Sequence, residues 1–180
     1  GIGGNDGPLE RAYQNLGFRV LNVEPATNIA ALSVANGVPT LNAWFNADTA
    51  LAIVAYHGCA ALITCNNCFA HMPDIHEVVR GIKHLLAPGG WFVSEEGYWL
   101  DAVTGNHFDR VYHEHVFYWT VRALNWLFHH HGLDILDVQH NRSQGGSIRV
   151  FVQTDRGLFH PDVNDDIQRE ETAGLFDTEL

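Results

Sequence analysis

Residues 109–119 read Asp109-Arg110-Val111-Tyr112-His113-Glu114-His115-Val116-Phe117-Tyr118-Trp119. A phenol, two imidazoles and a carboxylate stand together between apolar side chains. Desolvation by such neighbours tunes a base towards neutral pH, so the stretch has the residue types of a proton-transfer site. The same residues also suit a His-rich, partly buried turn in a chain that has twelve histidines. What the rest of the chain places beside them decides between the two.

A second chemical stretch opens the chain. Ile2-Gly3-Gly4-Asn5-Asp6-Gly7 is a glycine loop, where the backbone can turn tightly and a ligand can approach the main chain closely. A helix follows from Pro8 to Gly17, with Leu9, Ala12, Tyr13 and Leu16 on one apolar face. Phe18 to Pro25 then reads as a strand whose tip carries Glu24. Loop, helix, strand and acidic tip form the second half of a nucleoside-binding βαβ unit, in which the carboxylate bridges two ribose hydroxyls. Asp6 stands near where G-x-G-x-x-G would place a later glycine. That favours a ligand without a pyrophosphate, S-adenosylmethionine, over NAD. Gly3, Gly4, Asn5, Asp6, Gly7 and Glu24 are the expected cofactor residues.

The elements that must position these residues alternate. A helix is expected over 26–37, a short strand at 38–41, and a loop and helix over 42–55. The apolar run 59–65 gives a strand ending at Asn66-Asn67, on the carboxyl edge where ligands of such sheets sit, so both asparagines join the cofactor set. His71 lies on the loop over the same edge. His76 to Leu86 is an amphipathic helix, and Trp91 to Glu96 a strand. A long connection leads into the opening stretch. Val121 to His131 is a helix, with His129-His130-His131 at its end, where imidazolium suits the dipole. Two strands, 133–138 and 147–152, flank Gly145-Gly146 as an antiparallel hairpin on the sheet edge. Residues 165–180 have helical spacing but little expected to pack against.

The fold class expected is α/β, a Rossmann-like sheet, mostly parallel with a C-terminal antiparallel hairpin. Its first strand is missing, because residue 1 already lies in the loop, and the chain reads as a fragment. The net charge of −11 argues against a nucleic-acid surface. No run approaches the roughly 20 apolar residues of a membrane span. Cys59, Cys65 and Cys68 are too few for a disulfide framework and fit a reducing cytoplasm. A single C-x-x-C at 65–68 is weak evidence for zinc, and no metal is expected.

Taken together, these motifs resemble the sugar C-methyltransferases of deoxysugar biosynthesis, a family dependent on S-adenosylmethionine. The matching pieces are Ile2 to Gly7, Glu24-Pro25, Asn67-Cys68-Phe69-Ala70-His71-Met72-Pro73, Leu85-Leu86-Ala87-Pro88-Gly89-Gly90, Tyr112-His113-Glu114-His115 and Gly145-Gly146-Ser147-Ile148-Arg149. The Tyr-x-Glu-His block with the upstream His71 is the specific part. The rest is shared by many class I methyltransferases. The resemblance implies a cofactor domain at 1–153, flanked in the whole protein by a four-cysteine zinc module and a second α/β domain, with 154–180 as tail or link. It implies a small-molecule substrate, a nucleotide-linked keto sugar, and a monomer. Methyl transfer to carbon needs a base, a stabilised enolate oxygen and a fixed cofactor. The resemblance supports Tyr112, Glu114, His115 and His71 as catalytic, with His115 as base, Glu114 in its network, Tyr112 and His71 donating to the keto oxygen, and His113 a spectator. The alternatives are O- or N-methylation of another small molecule, or a cofactor-binding fragment without activity.

Overall fold

The computed structural model describes residues 1–154 and 161–177. The helices are α1 (Pro8–Asn15), α2 (Thr27–Ala35), α3 (Ala47–His57), α4 (Ile75–Leu85), α5 (Trp99–Thr104), α6 (Val121–His130) and α7 (Pro161–Thr172). The strands are β1 (Asn22–Val23), β2 (Thr40–Leu41), β3 (Ala60–Asn66), β4 (Leu86–Gly97), β5 (Leu133–Asn141) and β6 (Ser147–Thr154). β1 and β2 pair in parallel, as do β3 and β4. β6 runs antiparallel to both β4 and β5, so the order across the larger part is β3-β4-β6-β5.

Where the sequence leads one to expect a first strand, the sheet holds Ile2. It bridges Val23 on one side and Cys65 on the other, both in parallel. Its amide donates to Thr64 O, and the Gly3 amide donates to Val23 O. The strand expected over 18–25 is laddered only at Asn22–Val23. The reason lies next to it. A cavity of about 450 Å³ is lined by Val20 and Leu21 and by Ala61 and Leu62 of β3, so Val20 and Leu21 have no strand on that side to pair with.

Spacing explains the best-formed elements. On α4, Ile75, Val78, Val79, Ile82 and Leu85 are buried, the repeat of one helix face. They join a core centred on Phe69, whose ring stacks on Phe128 at 5.9 Å and also meets Phe92 and Trp119. Burying each such aromatic side chain contributes about 2–3 kcal/mol. α1 departs from expectation. Leu9 and Tyr13 are half-buried, Leu16 is 72% exposed, and the buried side chain is Glu10. The helix expected within 165–180 forms as α7, and it does have something to pack against. It lies on α6 and β5, with Val163, Asp166 and Glu170 buried. Of the expected tail or link at 154–180, residues 155–160 and 178–180 lie outside the described residues.

Candidate active site

The glycine loop is built around two side chains from β1 and its tip. Asn22 accepts from the Gly4 amide through Oδ1 and donates through Nδ2 to the Asn5 carbonyl and to Ser33 Oγ. Glu24 takes the Asn5 amide on Oε2 at 3.1 Å and the Ala26 amide on Oε1 at 2.9 Å. Each carboxylate oxygen keeps further lone-pair capacity, and the group is 8% exposed at a cleft edge. Gly3 has φ +62°, and a Cβ there would stand 2.8 Å from Cys68 Sγ. Only glycine lets the main chain pass here. The cleft has a volume of about 720 Å³. Gly3, Glu24, Pro25, Trp44, Asn46 and Met72 are among the residues that line it.

A second cavity of about 540 Å³ adjoins it over the ends of β3 and β4. Here the Tyr112–Tyr118 stretch meets the turn Phe69–His71. Val116 and Phe117 donate their amides to Ala70 O, which pins the two segments together. His115 Nδ1 lies 3.0 Å from Arg110 O, and His115 Nε2 lies 3.1 Å from Tyr112 Oη. His71 Nδ1 lies 2.8 Å from Glu114 O. A carbonyl only accepts, so both Nδ1 atoms are donors, and each neutral ring keeps its lone pair on Nε2. Tyr112 donates to that of His115. The rings of His71 and His115 are 4.8 Å apart. His71 lines both cavities.

The residues expected to act together are not all placed alike. Tyr112, His115, His71 and Asn67 line the second cavity. The Glu114 side chain is exposed and makes no hydrogen bond among the described residues; its carbonyl is what holds His71. His113 is exposed as well. Gly3 and Glu24 line the first cleft, while Gly4 donates its amide to Asn22 and Asn5 donates its amide to Glu24. Asp6 accepts from Asn36 Nδ2 in the turn, and Gly7 is the N-cap of α1. Asn66 lines a different cavity, with Leu9, Tyr13, Trp91 and Arg149.

Sequence reading missed two residues. Glu96 lines the second cavity, is buried, and takes the Cys68 and Phe69 amides on Oε1. Burial pushes its carboxyl up to about 7 against the pull of those amides. Strand alternation was the available signal: of the adjacent Glu95 and Glu96, one had to face inward. Arg110 donates to the carbonyls of Gly146 and Gln144, so it ties the His115 segment to the turn between β5 and β6. Below the loop, Cys65 Sγ lies 2.9 Å from Cys68 Sγ. Burial pushes the Cys65 thiol up.

A Rossmann-like sheet with an antiparallel C-terminal hairpin, a glycine loop and an acidic tip on the strand after the first helix is the class I methyltransferase fold. The chain belongs to the methyltransferase domain family, whose sequence model matches residues 2–138. It is similar to C-methyltransferase NovU of Streptomyces niveus, 42% identical over 150 residues, which are 83% of this chain and 36% of that protein. The chain thus spans about a third of that relative's length. Solved structures that share the fold include two methyltransferases. A methyltransferase from Clostridium acetobutylicum matches with a TM-score of 0.64 at 12% identity, over 86% of this chain and 82% of that one. The plantazolicin methyltransferase BpumL matches at 0.65 and 9%, over 86% and 75%. No described helix is long and apolar enough to cross a membrane.

Proposed function

We propose that the first cleft holds S-adenosylmethionine and that the second cavity takes a nucleotide-linked keto sugar, methylated on carbon through an enolate. The residues of the cleft suit that cofactor. Glu24 offers paired lone pairs to a ribose diol, Trp44 and Met72 offer apolar surface to a purine, and Gly3 admits close main-chain approach. Bound there, the sulfonium supplies the methyl group. The observation that carries the reading is the place of His71, which lines both cavities and so brings the reacting centres together.

His115 Nε2 removes the proton from the carbon beside the carbonyl. For that, the Tyr112 hydroxyl turns from Nε2 to the substrate oxygen, where it donates to the forming enolate. His71 donates to that oxygen only as an imidazolium, because its Nδ1–H is already spent on Glu114 O. Glu114 acts through that carbonyl. The similarity to NovU, a C-methyltransferase, supports transfer to carbon. The test is solvent exchange. The protein incubated with a keto nucleotide-sugar in D2O is expected to place deuterium on the carbon beside the carbonyl, seen by mass spectrometry. Methylation of an oxygen or nitrogen without exchange would replace this reading with heteroatom transfer.

A further inference from the structure

Away from both cavities, three imidazoles converge on the surface between α4 and α6. His76 stands in the first turn of α4, His130 ends α6, and His131 is its C-cap. One ring nitrogen or another from each lies within 4.8 Å of the other two. His76 Nδ1 is 2.9 Å from His131 Nε2, so the two share one proton. We propose that His76, His130 and His131 form a binding site for a divalent first-row transition ion such as zinc, with a fourth position open to water.

The geometry is close to what the ion requires. A tetrahedral zinc with bonds of about 2.1 Å holds its nitrogens about 3.4 Å apart. The His76–His131 pair opens slightly to reach this, and the exposed His130 ring swings inward. The ion takes the place of the shared proton, which moves to the other nitrogen of its own ring, so no net charge is lost from the pair. Trp126 flanks two of the ligands. Its indole stacks on His130 at 5.3 Å and 15°, and meets His76 edge-on at 6.3 Å. The carbonyl end of α6 favours a cation.

The surroundings also select the metal. Lys83 Nζ sits 2.6 Å from His131 O, and Arg80 is near the same ring. The two cations oppose any divalent ion alike, but with three imidazoles and no carboxylate in the ligand set the site is poor for magnesium or calcium, which depend on oxygen donors. Zinc, nickel and copper bond well to imidazole. A bound ion would staple the start of α4 to the end of α6. Met72, Pro73 and Asp74, just ahead of α4, line the first cleft, so the staple fixes one wall of it.

Calorimetric titration of the chelator-treated chain with zinc chloride tests this. One site is expected. His76→Ala and His131→Ala should each weaken it by more than the roughly 10- to 100-fold that follows loss of an outer-shell partner. The double variant, left with one imidazole of the three, should bind more weakly still, with no heat above that of a lone surface histidine. Cobalt(II) in the same site should give the visible bands of a tetrahedral centre, and magnesium chloride should give no binding heat. If circular dichroism shows that a variant has not folded, His130→Ala on the exposed rim replaces it. Unchanged zinc affinity in the folded variants would overturn the proposal, because other histidines would then hold the ion.

Discussion

His115 presents Nδ1 to the main-chain oxygen of Arg110 at 3.0 Å. That contact decides which nitrogen is available for chemistry. Nδ1 carries the hydrogen, and Nε2 faces Tyr112 and the cavity with its lone pair. Arg110 is in turn held by the carbonyls of Gly146 and Gln144. The orientation of the imidazole is therefore anchored on the β5–β6 turn, some thirty residues along the chain.

His115→Ala removes the imidazole whose lone pair is fixed against the Tyr112 phenol. Turnover of the whole protein should fall by about 100- to 10,000-fold, the usual contribution of a positioned base. Cofactor affinity should stay within a factor of two or so, since His115 does not line the first cleft. Single-turnover kinetics with a parallel calorimetric titration separates the two. Turnover equal to that of the unmodified protein would remove His115 as base and leave His71, with its own free Nε2, in that place.

Glu24 holds the loop and faces the cleft at once, so its substitutions separate two effects. Glu24→Gln keeps an acceptor for one of the Asn5 and Ala26 amides and loses the charge. Glu24→Ala leaves both amides unpaired. S-adenosylmethionine binding should weaken by about 1.5–3 kcal/mol in the glutamine variant, the worth of hydrogen bonds to a charged group. The alanine variant should also lose stability in urea. A calorimetric titration unchanged in Glu24→Gln would move the ribose site elsewhere.

The mostly parallel sheet with its antiparallel hairpin, α4 and α6, and the carboxyl-edge position of His71 were legible because each has a period or a punctuating residue; α5, which stands where a plain connection is expected, was not. Ile75 to Leu85 repeats at helical spacing, and Gly132 has φ +67° after α6, as a helix-ending glycine should. The ordering of the site was less legible. Tyr112, Glu114 and His115 are neighbours in sequence, yet a turn at 112–115 points His115 inward and Glu114 out. Residue type alone carries no such direction. Glu96 and Glu170 were missed for a common reason: a carboxylate reads as surface until the amides that bury it are known.

Glu96 makes stability depend on pH in an unusual direction. Burial raises its carboxyl from 4.5 to about 7, so the folded chain binds this proton more tightly than the unfolded chain. Its contribution is full below about pH 4.5 and is lost as pH rises through about 7. The shift corresponds to about 3 kcal/mol. Glu96→Gln keeps an acceptor for the Cys68 and Phe69 amides without the buried charge. Urea unfolding between pH 5 and 8 should show the variant gaining on the parent as pH rises. Parallel curves would mean that Glu96 reaches water through the cavity that it lines.

Glu170 is where α7 becomes part of the domain. It is fully buried and accepts from the Val121 amide at 2.5 Å, the Arg122 amide at 3.1 Å and the Tyr98 hydroxyl at 3.0 Å. The first three amides of a helix have no partner within it. Here Glu170 serves the first two of α6, and the Thr120 hydroxyl oxygen accepts from the third, Ala123. A carboxylate at the positive end of α6 also meets the dipole favourably, which opposes the upward push of burial on its carboxyl. Glu170→Ala leaves two amides and a phenol inside without a partner and should cost about 3–5 kcal/mol, read from the urea midpoint. Thr120→Ala should cost about 1 kcal/mol, and Glu170→Gln should fall between them. A loss below about 0.5 kcal/mol in Glu170→Ala would be that of an ordinary surface change. In that case α7 merely rests on the sheet, and the domain ends with β6.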